Sequence, residues 1–234
     1  MRGSVHIENT EDTEIGEAYP LQRKEHPILF SGAMVRAILK GRKHQTRRVI
    51  TRRNSLVDGR SSSQDFWDKL NFDDAYIDNG PSPAGNPGPY LHVSHPMNDT
   101  VHRIYPRMQT GDRLWARETF TLTQYGKPVY RATATDRKGM RWSSIEVDNP
   151  EHEVLWKPSI FMPRWASRIL LEEKGVRVER IQDITNEDAR AEGTASIKTF
   201  IALWNSINAK RGYGWEANPW VWVNEFSVLY KGKE

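Results

Sequence analysis

The chain has 234 residues and a formal net charge of +4, and its nine Trp, eight Tyr and seven Phe supply ample core material, which excludes wholesale disorder. It has no cysteine, which excludes disulfides, a thiolate nucleophile and thiolate zinc sites. No apolar run approaches the roughly 18 residues of a membrane helix. Nor does the polar, acidic stretch Met1 to Pro20 contain a signal-peptide core, so a soluble, cytoplasmic protein is expected.

Residues 1–25 lack periodicity and read as a flexible N-terminal arm. Pro27 to Phe30 has strand character. Ala33 to Lys40 follows with apolar Met34, Val35, Ile38 and Leu39 at helical spacing, and Gly41 sits where a C-cap glycine belongs. Thr46 to Thr51 reads as the strand leaving that turn. Between Arg36 and Arg53 there are eight Lys/Arg and no Asp or Glu. A basic concentration on a nearly balanced chain suits a local anionic ligand, or a solvated basic face.

Asn54 to Tyr105 differs in texture. It includes Ser61-Ser62-Ser63 and the Gly/Pro/Ser/Asn-rich run Asn79 to Pro89, and reads as a loop-rich insertion at about 54–106. His92-x-x-His95 has a spacing that can serve a metal, but no helix pattern or carboxylate completes a set, so surface histidines are expected. From Thr110 the pattern turns to β. Leu114 to Leu122, Val129 to Ala132 and Arg141 to Val147 are strand candidates, the last two separated by a turn at Asp136 to Gly139. Arg168 to Leu171 and Val176 to Ile181 suggest a hairpin about Lys174-Gly175. Asn186 to Glu192 reads as a helix entered through Thr185 or Asn186 and stopped by Gly193. Thr199 to Ile207 is a second helix, with Phe200, Leu203, Trp204 and Ile207 on one face. Trp220 to Leu229 is an apolar closing strand. The pattern predicts a β-rich α+β fold with short helices.

Lys43 and Thr46 carry the chemistry of the basic turn. Three residues apart on a regular strand they would face opposite ways, so they converge only if Gly41 to Gln45 curls first. A threonine hydroxyl needs a base to become nucleophilic, and lysine serves only when neutral. Burial and the neighbouring Arg42, Arg47 and Arg48 would favour the neutral amine. The same groups can equally hold a phosphate.

Three separated segments resemble the ASCH superfamily, whose fold is a PUA-like small β-barrel. Gly41-x-Lys43-x-x-Thr46-x-Arg48 is similar to its G-x-K-x-x-[ET]-x-R signature. Thr110-Gly111-Asp112-Arg113-Leu114 resembles its turn-and-strand element, and Ile184 to Gly193 its short helix. Pro27 to Gly32 and Ala217 to Trp222 are similar in layout to ASCH-like proteins of bacteriophages and prophages, which implies a bacterial cytoplasmic setting. The resemblance covers about residues 26–230, more loosely over the insertion, and implies one barrel domain over 26–234 with short flanking helices.

Some members with threonine in the signature remove the acetyl group from N4-acetylcytidine. The resemblance therefore implies Lys43 as base, Thr46 as nucleophile and Glu192 as proton shuttle, with Glu187 as the alternative carboxylate. It implies no metal and no cofactor. Gly41, Arg42, Arg47 and Arg48 are expected at the substrate or nucleic-acid contact. Arg117, Arg164 and Trp165 are further candidates: Met162 to Arg168 interleaves aromatic and basic groups as base stacking and phosphate contact require, although Trp156 and Trp165 fit a core equally well. Trp204, Trp220 and Trp222 are expected in the core. The expected partner is a modified nucleoside or single-stranded nucleic acid, and no membrane. Related domains bind RNA or modified bases without catalysis, which is the alternative function. A phage assembly or host-interaction role is a third, and it predicts that Lys43 and Glu192 are far apart.

Overall fold

Alternation and caps account for the order of elements in the computed structural model, which describes residues 23–58, 62–80, 88–97, 100–134 and 155–232. Strand β1 (Glu25–Leu29) leads to Ser31, whose hydroxyl accepts the Met34 N–H and starts α1 (Gly32–Leu39). Val35, Ala37 and Ile38 form the buried face of α1. Gly41 then takes φ +69°, and the turn delivers β2 (Gln45–Val49).

The chain continues through β3 (Ser55–Val57), α2 (Gln64–Asp68), β4 (Asn71–Asp78), β5 (Tyr90–His95) and β6 (Thr100–Pro106). Next come β7 (Arg113–Arg117), β8 (Phe120–Leu122), β9 (Pro128–Tyr130) and the long β10 (Ile169–Arg180). Helices α3 (Asn186–Ala191) and α4 (Ile197–Asn208) precede the closing β11 (Trp220–Lys231).

The strands form a five-stranded sheet in the order β1-β7-β10-β11-β2, a four-stranded sheet β3-β6-β5-β4 and a hairpin β8-β9. β1 and β7 are parallel and the other pairs antiparallel. The protein is thus a mixed α+β fold of sheets with a few short helices. Among the described residues the main sheet is open, with β1 and β2 as its edges. The Arg48 side chain spans those edges by donating to the Leu29 carbonyl. No helix of the described residues is long and apolar enough to cross a membrane.

The main sheet has two buried faces. One packs Phe30, Leu114, Leu171 and Phe226 against Val35 and Ile38 of α1, and extends through Trp222 and Val178 to the four-stranded sheet. The other packs Val49, Val221 and Val223 against Ala189 of α3 and Phe200 and Trp204 of α4. Along β2, Thr46, Arg48 and Ile50 follow the first face, and Gln45, Arg47 and Val49 the second.

Several expectations are corrected. The described part of 54–106 is an ordered antiparallel sheet, not a loop-rich insertion: Leu91, Val93 and Ile104 are buried against Val178 and Trp222. Its Gly/Pro-rich run is confined to the β4–β5 connection, and the edge strand β4 is largely exposed, so its composition conceals a strand. The hairpin about Lys174-Gly175 is one continuous strand. Glu173 pairs with Phe226 and Gly175 with Glu225, so Lys174 is absorbed as a bulge while β11 runs alongside throughout. His92 and His95 are buried rather than on the surface, His92 stacked on Tyr76 and His95 on Phe66. Leu114 to Leu122 breaks at Glu118, whose carboxylate turns inward to a buried two-point ion pair with Arg168 (2.8 and 3.0 Å). The expected arm ends earlier, since Glu25 already belongs to β1, and Ile207 is exposed on α4. The candidate strand Arg141 to Val147 and turn Asp136 to Gly139 lie outside the described residues, as does most of the arm.

Candidate functional site

The turn after α1 curls back onto the end of the helix. The backbone N–H groups of Arg42 and Lys43 both reach the Ala37 carbonyl, so Lys43 lies outside β2 and points back beneath the strand. On the other side, Thr185 caps α3 through a reciprocal box with Asp188, and the helix ends at Glu192. Gly193, at φ +85°, turns the chain so closely past α1 that a Cβ there would meet the Cβ atoms of Ala37 at 2.9 Å and Lys43 at 3.1 Å. Lys43 and Glu192 thereby form a β-bridge across 149 positions of sequence.

Lys43 is buried, and its ammonium donates to Glu192 Oε2 (2.7 Å), the Glu192 carbonyl (3.0 Å) and the Gln45 carbonyl (2.7 Å). Burial lowers its pKa below the usual lysine range; the Glu192 carboxylate opposes this, while Arg48 and Arg47 add to it. The Phe30 ring lies beneath both cations, 5.9 Å from Lys43 Nζ and 5.7 Å from Arg48 Cζ. Thr46 is buried on the same face of β2 as Arg48. The acceptors of the Lys43 ammonium do not include the Thr46 hydroxyl.

Arg47 points the other way, into a closed ionic network. Its Nε donates to Glu179 (2.8 Å) and its Nη1 to Gln45 (2.6 Å), with Glu192 Oε1 at 3.4 Å. Nη2 lies 2.7 Å from Glu179 and 3.0 Å from Asp188, as charge contacts without hydrogen-bond alignment. Arg177 reinforces the same carboxylates and Glu225. Arg47 is therefore spent on holding α3 and Glu192 in place rather than reaching a ligand.

The remaining candidates divide by location. Arg42 lines an open groove of about 510 Å³ with His44, Glu187, Arg190 and Thr194, on the outer side of the Lys43–Glu192 bridge. Glu187 thus stands in that groove, and Glu192 is the carboxylate at Lys43. Gly41 supplies only the turn's left-handed backbone. Arg117 and Arg164 gather about the Trp115 ring on the outer face of β7, at 5.3 and 5.9 Å from its centroid. Arg117 donates to the Ile160 carbonyl, Arg164 pairs with Glu25 at 2.7 Å, and Trp165 is exposed. No described contact joins these three to Lys43. Trp204 and Trp222 are buried and Trp220 half-buried. The Gly111-Asp112 element is structural: Asp112 accepts from the backbone of Lys24 and Gln109 and meets His26 at 3.0 Å, tying β1 to β7.

Sequence reasoning missed Phe30, Asn224 and Glu173. Asn224 carried a usable signal, since it interrupts the apolar run Val221 to Phe226 at a core-facing position. Among the described residues no group of three or more His, Cys, Asp or Glu is arranged to hold a metal.

Comparison of the chain with models of known families, with curated proteins and with solved structures finds no match.

Proposed function

We propose that the chain carries an ASCH-type, PUA-like domain that hydrolyses the amide of an N4-acylated cytosine, with Lys43, Glu192 and Thr46 as its catalytic residues. The observation that carries this reading is the buried Lys43–Glu192 contact at 2.7 Å, at the start of the strand that holds the buried Thr46. The resemblance implies the same pair. An assembly or host-interaction role gives no reason for the two residues to meet. The barrel reading is supported by the Arg48 bond to Leu29, which spans the two edges of the open sheet.

The chemistry is acyl transfer. Movement of one proton from Lys43 to Glu192 across their hydrogen bond leaves a neutral amine, the form that burial favours. That amine takes the Thr46 proton as Oγ forms a bond to the acyl carbon. The C–N bond breaks, the cytosine amine leaves with a proton returned through Lys43 and Glu192, and water then cleaves the threonine ester. The half-buried Arg48 offers a cation to the base.

A second reading, a modified-base binder without catalysis, is favoured by one observation. All three Lys43 protons are already held by acceptors, and none of those is Thr46. Acetate release from N4-acetylcytidine separates the two. Wild-type protein is expected to turn over, and Thr46→Ala to lose about a thousandfold or more in kcat while still binding the nucleoside. Binding without release by the wild type, abolished in Lys43→Ala, would replace the hydrolase with the binder.

A further inference from the structure

The residues that α3 and α4 cover on the second face of the main sheet lie on β2 and the first half of β11. At the other end of that face, strand register lines up Pro27 on β1, Trp115 on β7, Leu170 on β10 and Tyr230 on β11 in one row. None of the four is buried, and Tyr230 is 59% exposed. Arg117 lies two residues along β7 from Trp115, opposite Leu29 of β1, which is 42% exposed. This end of the face is an open sheet surface that carries rings and cations.

Two 3₁₀ turns, Ser159–Phe161 and Arg164–Ala166, stand beside that surface. Arg164 ties them to it, lying 5.9 Å from the Trp115 ring and pairing with Glu25 of β1, and so does Arg117, which donates to the Ile160 carbonyl. Pro158 and Pro163 lead the turns, and Met162 and Ala166 are buried against Phe120. The same turns leave Phe161 69% and Trp165 64% exposed. A ring held out by buried neighbours is already ordered, so stacking a partner on it sacrifices little side-chain freedom.

Charge narrows the partner. Glu25 is held by Arg164, and Glu172 on the same face by Lys174 and Arg23. Arg113 and Arg117 of β7 form no ion pair among the described residues, so the surface is left cationic. Its partner must be anionic and must present flat faces at several points, because Trp115, Tyr230, Phe161 and Trp165 come from separate elements. A single strand of nucleic acid has both properties: its phosphates meet arginines and its bases stack on rings. A duplex keeps its bases stacked inside. We propose that this end of the sheet face, with the two adjoining turns, binds single-stranded nucleic acid. Such binding needs no hydrolysis and stands apart from the hydrolase reading.

The test is fluorescence anisotropy of labelled single-stranded RNA and DNA of about 15 nucleotides with the full chain, at low and high salt. Melting temperatures of each protein are measured alongside. The wild type is expected to bind, more weakly at high salt, and to bind the matching duplex at least about tenfold more weakly. Trp165→Ala and Tyr230→Ala remove exposed rings without touching the core, and each is expected to weaken binding about tenfold. Arg117→Gln is expected to weaken it and to lower its salt dependence. Wild-type affinity in both ring variants would place the strand elsewhere, as at the basic turn, and overturns the proposal. Equal affinity for the duplex overturns it too, as does absence of binding to either strand by the wild type. Sedimentation equilibrium adds the last outcome: a dimer that Trp165→Ala dissociates would assign the face to a second copy of the chain instead.

Discussion

Glu173 and Asp188 respond to pH in opposite senses because their surroundings differ. Burial lifts Glu173 to about 8 from an ordinary 4.5, so between those values the folded protein keeps a proton that the unfolded chain has released. Its contribution to stability is present below about 4.5 and is lost as the pH rises toward about 8. Asp188 is also raised by burial, but the Thr185 N–H and the Arg47 charge outweigh this and hold it at about 2. Its contribution is present above its ordinary 3.8 and is lost as the pH falls toward about 2. Urea midpoints measured across pH should therefore fall less steeply between 4.5 and 8 in Glu173→Gln than in the wild type. Asp188→Asn should flatten the acid limb instead. Parallel profiles for wild type and Glu173→Gln would show that Glu173 is ionised in the folded protein.

At the level of elements, the site depends on how tightly the end of α3 passes α1. Gly193 and Gly41 both have positive φ, but only Gly193 is crowded: a methyl group there collides with Ala37 and Lys43, whereas nothing lies within 4 Å at Gly41. Gly41→Ala should cost about 1 kcal/mol of backbone strain. Gly193→Ala adds the clash, should cost about 2–3 kcal/mol, and should displace Glu192 from Lys43. Denaturation of both variants, with acetate release on each, checks the ranking; equal losses would mean that the close approach is unimportant. The α3 helix itself was legible, because Thr185, Asp188 and Gly193 are local start and stop signals. The bulge at Lys174 was not: Lys-Gly is compatible with a turn, and only the unbroken partner β11 makes it a bulge.

For the molecule as a whole, the four-stranded sheet shares a core with the main sheet instead of forming a detached module. Trp222 is buried between them, and its Nε1 donates to Ser55 Oγ on β3 at 2.9 Å. Trp222→Ala should cost about 3–5 kcal/mol. It should lower both sheets in one transition, with tryptophan fluorescence and far-ultraviolet circular dichroism remaining superimposable. Separate transitions in the wild-type protein would refute the shared core. The buried Arg168–Glu118 pair and the Arg47 network likewise join segments remote in sequence.

The sequence by itself determined what local signals encode: α1 and its Gly41 turn, the capped α3 and the closing strand. These depend on short-range periodicity, capping chemistry and residues that tolerate positive φ. Only the tertiary structure decided which face each strand residue takes. It sent Arg47 into an ionic network, turned Arg117 to the outer face and set Asn224 against Thr46. The physical reason is the two-residue period of a strand, in which a one-residue change of register or a single bulge sends every later side chain to the opposite face.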